Sequence, residues 1–161
     1  MLLKILSNGL TEKFAGSTAG TLYGDGIYFA EDVTKSDQYV KPDMKYDAKD
    51  SKLHRILYGK DYRHPGSVFY LLVCRVTIGR HVRTSDGITD RDGGNALFPT
   101  INGLPNRREL AEFSGTTVHP HTLLGEAFPR FREFVTYHPE KYCYPEYIIA
   151  YHRYADDRKV Q

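Results

Sequence analysis

Apolar positions in this chain come in short, separated bursts, and only one burst is long. Leu2, Leu3, Ile5 and Leu6 lie at helical spacing with Gly9 beyond them, which predicts a helix closed by a glycine cap. Residues 11–24 carry three glycines and read as a loop. Ile27-Tyr28-Phe29-Ala30 predicts a short strand. Asp32 or Thr34 can then cap a helix that runs to about Val40 and stops before Pro42. Residues 41–65 are polar and lysine-rich, a surface excursion with a helical turn at Lys52 to Leu57. Val68 to Val76 is the strongest strand, and its nearly continuous apolar run predicts burial on both faces. Residues 79–130 show no sustained period. So long a coil is rare in a compact domain, so short strands are expected within it. Phe131–Tyr137 and Tyr147–Tyr151 predict two more strands, spaced as an antiparallel pair. Residues 154–161 read as a frayed tail.

Composition narrows the classes. The length, 161 residues, suits one domain with its own core and no need of a disulfide or metal. A net charge of +2, with basic residues scattered, does not point to nucleic acid, and nothing resembles a DNA-reading module. No stretch approaches the ~20 apolar residues of a membrane span, and the N-terminus is too short in apolar residues for a signal peptide. Cys74 sits inside an apolar run and reads as a buried free thiol in a reducing compartment. A nuclear or cytoplasmic location is therefore expected. His119-Pro-His121 has no carboxylate or cysteine at matching spacing, so no metal is expected.

Candidate chemistry concentrates in residues 24–39. Gly24 and Gly26 let backbone approach a ligand or a neighbouring strand closely. Ser36 and Tyr39 share a helix face, and Tyr28 lies on the strand before them. Two rings and a hydroxyl are suited to stacking a flat ring and bonding its amide, and equally to packing a core.

The order of residues there, Gly24-Asp-Gly-Ile-Tyr-Phe-Ala-Glu-Asp32 followed by Lys35-Ser-Asp-Gln-Tyr39, resembles the signature of poly(ADP-ribose) polymerase catalytic domains. Phe69 to Gly79 is similar to that family's central strand. Arg132-Glu-Phe-Val-Thr-Tyr137 and Tyr144-Pro-Glu-Tyr-Ile-Ile149 are similar to its closing strands. The resemblance spans about residues 2–153 and is weak in 41–65 and 80–130. It implies an α+β, ADP-ribosyltransferase-like fold: a split, mostly antiparallel two-sheet core with short helices, lacking its first strand. The domain would cover residues 1–153, with 154–161 as the tail.

The resemblance also implies roles. Tyr39 would stack on the nicotinamide of NAD, and Ser36 would hydrogen-bond its carboxamide. Tyr28 would line the nicotinamide-ribose side, with Gly26 and Ala30 among the NAD-contacting positions. Glu133 would be the catalytic glutamate of a His-Tyr-Glu triad, with Tyr28 beside it. Residues 11–23 would lie over the donor pocket, and the coil before Glu133 would shape the acceptor side. The expected activity is NAD-dependent transfer of ADP-ribose to protein acceptors with release of nicotinamide, and elongation to a polymer is open to it. NAD is the co-substrate, with no metal, membrane or nucleic-acid partner in this chain. None of the histidines (54, 64, 81, 119, 121, 138, 152) is followed by glycine, so the family's His-Gly strand is missing from these residues. The 161 residues are therefore expected to turn NAD over weakly or not at all. The alternative is a non-catalytic module that binds NAD or ADP-ribose.

Overall fold

The computed structural model describes residues 2–11, 21–47, 51–60, 62–128 and 131–154. Its elements are α1 (Leu2–Asn8), β1 (Ile27–Ala30), α2 (Val33–Asp37), α3 (Lys52–Tyr58), β2 (Phe69–Val76), β3 (His81–Thr84), β4 (Thr100–Ile101), β5 (Leu104–Pro105), β6 (Thr122–Phe128), β7 (Phe131–Thr136), α4 (Pro139–Tyr142) and β8 (Cys143–Tyr151). The architecture is α+β, with short helices around small, mostly antiparallel sheets, as expected. The larger sheet has the order β1-β7-β6-β3, β2 pairs with β8, and β4 with β5 makes a small hairpin. One pairing, β3 with β6, is parallel. Among the described residues no helix is long and apolar enough to cross a membrane.

Local chemistry explains the helix ends. Gly9 takes a φ of +74° and its N–H returns to the Ile5 carbonyl, closing α1. Of the two candidate caps for α2, Asp32 is the one used: its carboxylate accepts the Thr34 N–H at 2.8 Å. The regular helix ends at Asp37, earlier than expected. Tyr39 N–H bonds to Ser36 and Val40 N–H to Asp37, i to i−3 contacts that tighten the last turn.

The core lies on one face of the four-stranded sheet. Leu123 and Val135 are fully buried at its centre, joined by Tyr23, Leu97, Phe98, Leu110 and Tyr137. Each buried Leu or Val contributes about 1.5–3 kcal/mol. Tyr23 lies over Gly125, where an added Cβ would meet its ring at 2.2 Å. Its hydroxyl accepts the Ala127 N–H at 2.9 Å, and its carbonyl accepts the Tyr137 hydroxyl at 2.5 Å. The close approach that Gly26 permits is to β7: a Cβ there would meet Val135 Cγ1 at 2.6 Å and the Thr136 carbonyl at 2.7 Å.

Two expectations are corrected. The two C-terminal strands do not pair with each other. β7 runs between β1 and β6, whereas β8 pairs with β2. The cause is the connection: Pro139 starts the single turn of α4, and the chain crosses from one sheet to the other instead of folding back. The central apolar strand is also not buried on both faces. Among the described residues β2 has one partner strand, only Phe69 is buried, and Val73 and Arg75 are exposed. Cys74 is a free, half-buried thiol, pushed up to about 11 by burial.

Candidate functional site

A cleft of about 1060 Å³ opens between the two sheets, at the upper end of small-ligand sites. β1 and α2 form one wall, the apolar side chains of β2 the other, and Leu2 and Ile5 of α1 close one end. Tyr28, Ala30, Ser36 and Tyr39 all line it, so the structure brings together four of the residues singled out from sequence. Gly26 does not line it. Residues 12–20 of the expected overlying loop, and Arg130 before β7, lie outside the described residues.

Each side chain is placed by its element. The Tyr28 hydroxyl donates to the Gly24 carbonyl at 2.8 Å and accepts the Tyr23 N–H at 3.0 Å, which closes the turn ahead of β1. Burial raises this phenol well above its usual range, so it stays protonated as a fixed donor. Among the described residues the Ser36 hydroxyl has no protein partner, although it is only partly exposed. Tyr39 is 64% exposed, with one ring face turned toward the Lys35 ammonium at 5.6 Å.

Glu133 is buried within the four-stranded sheet, opposite Ala30 on β1 and Gly125 on β6. It is absent from the cleft lining, where its neighbour Phe134 stands, because successive strand residues face opposite ways. Lys35 connects the two faces. Its Nζ lies 3.5 Å from Glu133 Oε2 and 5.8 Å from the Phe131 ring centroid. Burial works to lower the Lys35 pKa, but the Glu133 carboxylate and the Tyr39 hydroxyl outweigh it and raise it, so the ammonium stays charged. Lys35 was visible in the Lys-Ser-Asp-Gln-Tyr stretch without a role. The signal was its i, i+4 spacing to Tyr39.

The segment carrying Ser36 and Tyr39 is tied to the second sheet. Asp37 accepts the Tyr151 hydroxyl and the Arg153 Nε at 3.0 Å, and the Arg153 guanidinium sits 4.1 Å from the Phe69 ring centroid. These bonds, Tyr151 foremost and against a burial effect of opposite sign, hold the Asp37 carboxyl below its usual range. The His119-Pro-His121 pair separates: His119 faces Glu112 at 3.2 Å, and His121 Nδ1 accepts the Arg80 N–H at 3.1 Å. A different polar cluster, Asp43, His54 and His64, forms in the segment read as a surface excursion.

Buried acid, paired lysine, partnerless hydroxyl and exposed ring thus gather where β1, α2 and β7 meet. The family model for the poly(ADP-ribose) polymerase catalytic domain matches residues 1–153. No curated protein matches the chain.

Proposed function

Since the chain belongs to the poly(ADP-ribose) polymerase catalytic-domain family, whose members use NAD as substrate, we propose that it transfers ADP-ribose from NAD to a protein side chain and releases nicotinamide, in the nucleus or cytoplasm. The observation that carries this reading is the convergence of Tyr28, Ala30, Ser36 and Tyr39 on one cleft, with the Lys35–Glu133 pair on the strand face behind it. Nicotinamide stacks on the open face of Tyr39, and the Ser36 hydroxyl bonds its carboxamide. Breaking the nicotinamide–ribose bond develops positive charge on the sugar, as in glycoside hydrolysis. The ribose passes out of this lining on the Lys35 side, where the Glu133 carboxylate stabilises that charge through a ribose hydroxyl. Lys35 fixes the orientation of Glu133, and Tyr28 holds the turn ahead of the wall to which Ala30 belongs, while Gly26 sets the close approach of that strand to β7. An acceptor hydroxyl polarised by Glu133 would allow elongation to a polymer.

A second reading, capture of NAD or ADP-ribose without transfer, is favoured by one observation: among the described residues no histidine lines the cleft. Two measurements separate the readings. Nicotinamide should raise the melting temperature of the purified chain, and incubation with NAD should release nicotinamide, measured by chromatography. Stabilisation without release selects capture. Neither effect at millimolar ligand rejects both.

A further inference from the structure

The described residues between 41 and 65, which have no part in the reading above, enclose a buried polar cluster. Asp43 is held by a bridge to Val68, its N–H bonding to the Val68 carbonyl at 2.7 Å and its carbonyl accepting the Val68 N–H at 3.0 Å. His54 lies in α3, capped by Ser51, and His64 follows that helix; both are 4% exposed. His54 Nε2 is 2.6 Å from Asp43 Oδ2, His64 Nε2 is 3.6 Å from the same oxygen, and the two Nε2 atoms are 3.3 Å apart. The Tyr46 ring stacks on His54 at 5.2 Å and meets His64 edge-on at 5.5 Å, which fixes both imidazoles.

Hydrogen bonding alone leaves this cluster unsatisfied. A ring nitrogen makes one bond, as donor or as acceptor. His54 Nε2 spends its bond on Asp43, so it has nothing to offer His64 Nε2. The remaining distance from His64 Nε2 to Asp43 is too long for a hydrogen bond. A buried ring nitrogen therefore points into the group without a productive partner, which is costly. A cation between the three atoms removes the conflict. In a tetrahedral zinc site with bonds of about 2.0–2.1 Å, ligand atoms lie about 3.3 Å apart, which is the separation of the two Nε2 atoms, and Asp43 Oδ2 draws back from its 2.6 Å contact with His54 to complete the set.

We propose that Asp43, His54 and His64 bind one divalent ion of the zinc class, with water in the fourth position on the side where Asp43 is partly open. The His54 Nδ1 accepts the Asp47 N–H at 2.8 Å and lies 3.1 Å from the Asp47 carbonyl, so metal binding moves the ring proton from Nε2 to Nδ1, where that carbonyl accepts it. At His64 the Nδ1 accepts the Gly66 N–H at 3.0 Å, so metal binding breaks that bond and turns the Gly66 amide. The ion acts as a staple. It joins the excursion to the start of β2, and Tyr70, whose hydroxyl reaches Asp43 at 3.4 Å, lines the cleft.

The test is a titration of the chelator-treated 161-residue chain with Zn²⁺ alone, in competition with a chromogenic chelator. One ion per chain is expected, with Asp43→Asn and His64→Gln weakening affinity by roughly a hundredfold and His119→Ala leaving it unchanged. Co²⁺ should give the visible bands of a tetrahedral site. His64→Cys, which keeps a ligand even if His64→Gln does not fold, should add a near-ultraviolet thiolate band. Absence of stoichiometric zinc, equal affinity in Asp43→Asn, or a Co²⁺ spectrum indifferent to His64→Cys would each overturn the proposal.

Discussion

Lys35 holds its ammonium 3.5 Å from the Glu133 carboxylate across the junction of α2 and β7, with side-chain exposures of only 12% and 11%. A pair so far removed from water is sensitive to the loss of either member, because the survivor is left as a buried, uncompensated charge.

Lys35→Met should therefore destabilise the fold by on the order of 3 kcal/mol, measured by urea unfolding. The double variant Lys35→Met/Glu133→Gln should recover part of that loss. Equal stability of single and double variants would mean that the two groups do not act as a pair.

Glu133→Gln should lower nicotinamide release by roughly a hundredfold or more while leaving nicotinamide binding near wild type. Parallel loss of both would make Glu133 a structural acid.

Ser36→Ala should weaken nicotinamide binding by about tenfold, the value of one hydrogen bond, and Tyr39→Ala by a similar factor through lost stacking. Calorimetry with nicotinamide reads both. Unchanged affinity in the two variants would move the ligand out of this cleft.

Gly125→Ala should cost about 3 kcal/mol, because the new methyl group meets the Tyr23 ring and that ring is pinned by Ala127 and Tyr137. The melting temperature checks it. A neutral result would mean that Tyr23 can shift despite its bonds.

Acid should loosen the link between the sheets. The Asp37 carboxyl lies below its ordinary value in the folded chain, so the unfolded chain binds its proton first. Its contribution is complete above about pH 4 and is lost as pH falls through the folded value. The melting temperature of Asp37→Asn should therefore depend less on pH between about 4.5 and 3 than that of the wild type.

Much of this was legible in the residues themselves. β1, the Asp32 cap and the convergence of Ser36, Tyr39 and Tyr28 follow from spacing and capping chemistry over a few residues. Partner choice in the sheets was not legible. Phe131–Thr136 and Cys143–Tyr151 are both good strands, and only the turn at Pro139 sends them to different sheets. The face of Glu133 was equally hidden, since it depends on the register of Ala30 against it. The Asp43–His54–His64 cluster escaped notice because its members are 11 and 10 residues apart on segments that looked solvated.

Topology sets when these sites can exist during synthesis. β1 waits for β7, β2 for β8 and β3 for β6, so apart from the β4–β5 hairpin no described strand pairing closes before residue 122 is made. Such distant pairing makes folding slow. Until residues 122–151 leave the ribosome, the nascent chain holds its motif helix and apolar β2 without a sheet, a stretch of its life in which chaperones have most to protect.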